Sequence, residues 1–242
     1  MTETNQQQDA QKTERDAKQK ESEQLMHRLI QEIDDDPDNY HTYYDLGALL
    51  VNLKSYSQAE ELMMKALGLF ADKSRAAKDT LTYGLGNVYY AAGEFQKAIA
   101  QFNKVKDSKL KSDAYMMLAQ SYMGNNDHKT ALAFALTAAE NHRQDPQVNQ
   151  LIADNLLAVG SFKEAAQYYD KTLASDPKNG HAQFDRGIAA VVMGEDATEY
   201  FNQAKQLDPK YYQKGQSRLA DIQGALTKKK TDQNSKDDQT NA

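Results

Sequence analysis

Five histidines, His27, His41, His128, His142 and His181, are the side chains of this sequence best suited to hold a metal or move a proton near neutrality. A zinc hydrolase needs two of them one helical turn apart with a glutamate between, and no H-E-x-x-H spacing occurs. Roles in solvent or on a binding face are expected, and no metal. Asp34, Asp36, Asp38 and Asp45 approximate positions 1, 3, 5 and 12 of a calcium loop. The sixth residue is Asn39 where the sharp turn needs glycine, the twelfth is Asp rather than a bidentate Glu, and Pro37 lies inside. The run reads as an acidic boundary between helices. Gly84-Leu85-Gly86 lacks the third glycine and the preceding strand of a phosphate-cradling loop, and Gly160-Ser161 lacks the rest of a nucleophile elbow. With no cysteine, disulfides and thiolate sites are excluded. No ionisable cluster has a catalytic spacing. A non-catalytic protein without a cofactor is expected.

Composition bounds the alternatives. The chain has 242 residues, 40% hydrophobic and 26% charged, with net charge -6. Binding driven by phosphate neutralisation is not expected of an acidic chain, so nucleic acid is not an expected partner. Residues Met1 to Gln24 lack the apolar core of a secretory signal, and no apolar run approaches ~18 residues. A cytoplasmic protein that does not enter a membrane is the expectation.

What must position any working surface is a repeat. A signature of large–x–x–Leu–Gly/Ala, a breaker, then Ala–x–x–x–large–x–x–small returns five times. The passes begin at Tyr43, Leu85, Tyr115, Ile152 and Gly187. Their second halves open at Ala59, Ala98, Ala131, Ala165 and Ala197, giving intervals of 39, 33, 34 and 32 residues. Repeats of this length are helix hairpins stacked in a row. The long first interval predicts about five extra residues near Ala71 to Lys78, in a longer second helix or a longer connection. Small residues, Gly47, Gly86, Ala119, Ala153 and Gly187 on the first helices, allow close approach to large partners: Met63, Phe102, Tyr169 and Phe201 on the second. Gly93, Gly160 and Gly194 suit a left-handed turn residue, with Asn126 as substitute. Lys54 takes that place in the first unit and predicts a different turn.

The flanks differ. Residues 1–21 are polar and expected to be disordered, with i,i+4 pairs that favour transient helix. A capping helix is predicted over 22–35, repeats over about 40–209, a second capping helix over about 210–227 and a disordered tail over 228–242. In that last helix Lys214, Gln216, Arg218 and Asp221 are expected to face water. Lys228-Lys229-Lys230 complements the helix dipole but is too short to anchor to a membrane.

These residues resemble the tetratricopeptide repeat (TPR) family, whose pattern is W-x2-L-G-x2-Y, then A-x3-F, then a proline near the end of 34 residues. Tyr43 and Tyr115 stand at the Trp position, and Tyr89 and Tyr122 at the Tyr position. Asp36-Pro37, Asp176-Pro177 and Asp208-Pro209 match the repeat boundary. The plan is similar to small stand-alone TPR proteins of Gram-positive bacteria. Arg186 replaces the Leu of the fifth unit, and Asn149 and Gln183 are polar at the Trp position, so looser C-terminal packing is expected.

The resemblance implies an all-α fold, a right-handed superhelix (α-solenoid) of about five hairpins, capped at both ends. It implies a concave groove lined by the first helix of each hairpin. In the family's register the protein-binding residues are Tyr44, Tyr83, Asn87, Tyr90, Met116, Gln120, Gln150 and Phe184. No Lys or Arg faces this groove, which argues against a carboxylate clamp. The face is aromatic, Met-bearing and amide-bearing, suited to an extended or helical peptide with apolar anchors. The expected function is a scaffold or adaptor. The alternative is a sensor whose superhelix pitch responds to a peptide. Weak self-association through Tyr211 and Tyr212 is a further expectation.

Overall fold

The structure is a computed structural model. It describes the backbone of residues 2–140, 142 and 144–240, and the side chains of residues 13, 15, 17–140, 142 and 144–228. Twelve helices and no strand occur among the described residues. They divide between two compact units, 1–125 and 126–242.

The first unit holds α1 (Thr2–Asp35), α2 (Tyr40–Asn52), α3 (Tyr56–Leu69), α4 (Arg75–Ala91), α5 (Phe95–Phe102) and α6 (Lys111–Gly124). Successive helices pack as antiparallel neighbours, and α2 also packs on α4 and α4 on α6. The second unit holds α7 (His128–Ala139), α8 (Pro146–Ala158), α9 (Phe162–Ser175), α10 (Gly180–Met193), α11 (Thr198–Leu207) and α12 (Pro209–Thr240). There α8 packs on α9, and α10 packs on α9, α11 and α12.

The helices end where local chemistry ends them. Asn39, Ser74, Asp127, Asp145 and Asn179 each cap the following helix with a side-chain oxygen that accepts a backbone N–H. Pro146 and Pro209 occupy first helical positions, where the missing N–H costs nothing. Within the hairpins the turn is closed by a left-handed residue: Gly93 (φ 77°), Gly160 (φ 83°), Gly194 (φ 77°) and Asn126 (φ 62°). Lys54 adopts the same conformation at φ 59°, contrary to the different turn expected there. Ser55 N–H reaches Leu50 C=O and Lys54 N–H reaches Val51 C=O, both at 2.9 Å. The same pair of bonds recurs around Gly93, Gly160 and Gly194. The hydrogen-bond pattern of the helix end therefore imposes the turn, and Lys54 bears the steric cost.

Size complementarity joins the hairpins α2–α3, α4–α5 and α10–α11. A Cβ on Gly86 would lie 2.5 Å from the Phe102 ring, and one on Gly187 would lie 2.8 Å from Phe201. Met63 fills the corresponding space over Gly47. Ala59, Ala98 and Ala165 are fully buried on the second helices of their hairpins.

Three expectations are revised. The extra residues lengthen the first helix of the second repeat, α4, rather than the second helix of the first repeat, α3, or the connection between them. From helix start to left-handed residue is 18 positions in α4 (75 to 93) and 14 in α8 (146 to 160) and α10 (180 to 194). Arg186 does not loosen the fifth unit. Its guanidinium pairs with Asp170 at 2.8 Å and Glu195 at 3.5 Å and lies over the Tyr200 ring, while its stem is buried. Arg218 does not simply face water, because it pairs with the buried Asp185 on α10. The predicted capping segments lie inside α1 and α12. The disorder expected of 1–21 and 228–242 falls largely outside the described side chains, as do Lys229 and Lys230.

Candidate functional site

Six of the eight groove residues come together in the first unit. Tyr83, Asn87 and Tyr90 lie at i, i+4 and i+7 on one face of α4, Tyr44 on the adjoining α2, and Met116 and Gln120 on the adjoining α6. All six are half-buried, as a surface is that is neither core nor solvated rim. Sequence reasoning did not assign Gly84 a part in this. A Cβ there would meet the Tyr44 ring at 3.0 Å and Met63 Sδ at 3.1 Å, so the bare backbone of α4 is what lets the Tyr44 ring approach it closely. The signal was present: a glycine in a helix interior is costly unless something approaches closely.

Around Tyr44, Gly84 and Asn87 a cavity of about 160 Å³ opens, floored by Gly47 and Met63 and walled by Ala48 and Val51. Its apolar shape holds one polar atom that is not satisfied. Asn87 Oδ1 is buried and accepts no hydrogen bond. The Asn87 amide interacts with both the Tyr44 and Tyr83 phenols, which opposes the rise in their pKa values. Burial is the larger effect and pushes Tyr83 up to about 12, with Tyr44 and Asp113 adding to it. Burial also raises Tyr44 and Tyr90. All three phenols are neutral hydrogen-bonding groups at physiological pH, each with a ring face for contact. Phe102 and Phe95 back the Tyr83 and Tyr90 rings at 5.5 and 5.8 Å.

The remaining two residues belong to the second unit and are differently employed. Phe184 is fully buried, and its placement on an open binding face is corrected here. It is enclosed by Phe201 and, from α12, by Tyr211, Tyr212 and the bare backbone at Gly215. A phenylalanine at this register is what a terminal helix has to cover. Gln150 is half-buried in an internal chain of bonds: its Oε1 accepts from Asn179 Nδ2 at 2.7 Å, and its Nε2 donates to His181 Nδ1 at 2.8 Å.

That chain continues into a cluster the sequence did not reveal. His181 Nε2 lies 2.8 Å from Asp185 Oδ2 and 3.8 Å from Asp154 Oδ1. Tyr211 donates to Asp185 at 2.6 Å and Tyr169 to Asp154 at 2.8 Å. Asp154, His181 and Asp185 are the one group among the described residues that could converge on a cation. Asp154 already accepts from Tyr169, and Asp185 receives Tyr211, Arg218 and His181, two of them from α12, so the cluster reads as the joint that holds α12. The clue was an i,i+4 pair, His181 and Asp185, with Asp154 one repeat earlier.

The tetratricopeptide repeat model matches residues 44–109 and 151–212, and a second model of that description matches 89–154. The chain belongs to the tetratricopeptide repeat family. Solved structures share the TPR fold. One is PilF of Pseudomonas aeruginosa (21% identity, TM-score 0.68, 84% of this chain and 92% of that one). Another is YrrB, described as a TPR protein with an unusual peptide-binding site (22% identity, TM-score 0.57, 76% and 93%). A third is MamA of strain AMB-1 (20% identity, TM-score 0.56, 72% and 94%). No curated protein is significantly similar to this TPR chain by sequence. TPR proteins are generally protein-interaction scaffolds, and no helix among the described residues is long and apolar enough to cross a membrane.

Proposed function

We propose that this TPR protein is a non-catalytic scaffold that takes an apolar peptide segment, extended or helical, on the face formed by Tyr44, Tyr83, Asn87, Tyr90, Met116 and Gln120. The observation that carries this reading is the orphaned acceptor, Asn87 Oδ1, buried beside an apolar cavity between two tyrosines. A buried acceptor without a donor costs about 1–3 kcal/mol, and a backbone N–H of a bound segment would remove that cost. Tyr and Met around it offer large contact area that adapts to irregular partners, while Gln120 adds a second amide. A peptide-binding TPR protein, YrrB, shares this fold.

The test uses a segment selected from a randomised peptide library by the intact protein. N-methylation of its backbone one residue at a time should weaken binding by about 1–3 kcal/mol at a single position, and Asn87→Ala should abolish that position's sensitivity. Uniform insensitivity to methylation would contradict the role given to Asn87.

A further inference from the structure

A large cleft lies away from the face above, where the repeat period is broken. The Phe70–Ser74 connection and the lengthened start of α4 form one wall, and the segment after α5 forms the other. Between them is a cleft of about 710 Å³. Five cations line it, Lys73, Arg75, Lys78, Lys104 and Lys106, against two acids, Asp72 and Asp79. On a chain of net charge -6 this is a local reversal of sign.

The charges there are poorly answered from within. Some cations elsewhere stand beside carboxylates, as Lys65 does with Glu61, Lys97 with Glu94 and Arg186 with Asp170. In the cleft only Lys73 has one, Asp38 Oδ1 at 2.5 Å. Lys104 and Lys106 donate their ammonium groups to neutral oxygens of Gln101 and Asn103. Among the described residues no carboxylate lies within ion-pair distance of Arg75, Lys78, Lys104 or Lys106. Asp79 is buried and its Oδ2 accepts the Lys106 backbone N–H at 3.3 Å, so it fixes the wall rather than neutralising the ammonium groups.

The helix makes the arrangement less comfortable still. Arg75 and Lys78 stand in the first turn of α4, which contains no acidic residue. Cations there oppose the positive end of the helix dipole, a placement that other things being equal destabilises. Unanswered like charges gathered around a cavity mark a site where local stability yields to binding.

We infer that this cleft is a second docking site, for a Glu/Asp-rich segment of a partner polypeptide. Three of the four unanswered cations are lysines, flexible point charges rather than forks that grip one phosphate in two places. They are spread along a cleft too large for a single oxyanion. That distribution suits several carboxylates on an extended chain. Such a site steers an acidic partner toward a protein that otherwise repels it, and its strength falls with salt.

The experiment measures fluorescence anisotropy of labelled hexaglutamate with the full-length protein at 50 and 300 mM salt. Binding at low salt should weaken at least about tenfold in Arg75→Glu/Lys78→Glu and be screened at 300 mM. Lys65→Glu, outside the cleft, and Tyr83→Ala should leave it unchanged. Circular dichroism checks that each variant is folded, and a Lys104→Gln/Lys106→Gln pair gives a second, milder probe. No binding by the unmodified protein, or equal binding by both cleft variants, overturns the inference. So does tighter binding of a phosphoserine peptide or an oligonucleotide of equal charge.

Discussion

Gln150 Nε2 lies 2.8 Å from His181 Nδ1, and this contact fixes the protonation of the imidazole. The orientation of the amide is not free. Asn179 Oδ1 accepts the Ala182 N–H, so Asn179 Nδ2 must donate to Gln150 Oε1, so Gln150 Nε2 must donate to the imidazole. Nδ1 is therefore an acceptor, and Nε2–H points to Asp185. A proton on Nδ1 would face a donor, and relieving it would flip both amides and uncap α10.

Burial lowers the His181 pKa below its ordinary 6.5, outweighing the pull of Asp154. A histidine held neutral in the fold takes up its proton more readily when unfolded. Stability is therefore complete above about pH 6.5 and lost as pH falls from there toward the folded value. Burial raises Asp154, which acts in the opposite sense: stability falls as pH climbs from 3.8 toward its folded value. Urea unfolding followed between pH 7.5 and 5 should show a falling midpoint that flattens in His181→Gln. An unchanged slope in the variant would contradict the assignment.

Asp185 is 2% exposed and receives Arg218, Tyr211 and His181. Arg218 is half-exposed, so its share is partly screened. Asp185→Ala should cost about 1–3 kcal/mol and leave polar groups of α12 unanswered. Hydrogen exchange should accelerate in α12 and in the Phe184 layer beneath it, with α8 and α9 less affected.

Two glycines in helices make a matched pair. Gly86→Ala places a Cβ against the Phe102 ring and should cost about 1–3 kcal/mol by overpacking. Gly68, on α3, has nothing within 4 Å of a new Cβ, and Gly68→Ala should stabilise by about 0.5–1 kcal/mol. Thermal melts of the two variants should shift in opposite directions.

Lys54 pays for a turn that glycine makes freely in three other hairpins. Lys54→Gly should raise stability by about 0.5–1 kcal/mol, and Gly93→Ala should lower it by a similar amount. Denaturant midpoints with unchanged m values would register both.

Much of this was legible in residue spacing. Gly86 and Phe102, or Gly187 and Phe201, announce a hairpin because a small residue opposite a large one recurs with a fixed offset. Asn126 could be placed in a left-handed turn on chemistry alone, since its side chain tolerates that region. Lys54 could not, because its turn is imposed by the bonds of Ser55 and Lys54 to the preceding helix, which no property of lysine reveals. The face of Tyr44, Tyr83 and Asn87 followed from register within helices. Whether Asn87 Oδ1 would find a donor depends on contacts between α2, α4 and α6, which register does not supply. Phe184 shows the same limit: its position in the helix is regular, and only the packing of α12 decides that it is covered.

The central claim is that the Tyr44–Asn87–Met116 face binds a peptide. Calorimetric titration of the library-selected segment into unmodified protein and into Tyr83→Ala/Met116→Ala, each with its melting temperature, tests it most directly. The account predicts loss of about 2 kcal/mol or more in affinity, as for anchor residues at an interface, with binding-face truncation lowering the melting temperature only slightly. Undiminished affinity, or a melting temperature that collapses while affinity per folded molecule is retained, would show that these side chains are core and would contradict it.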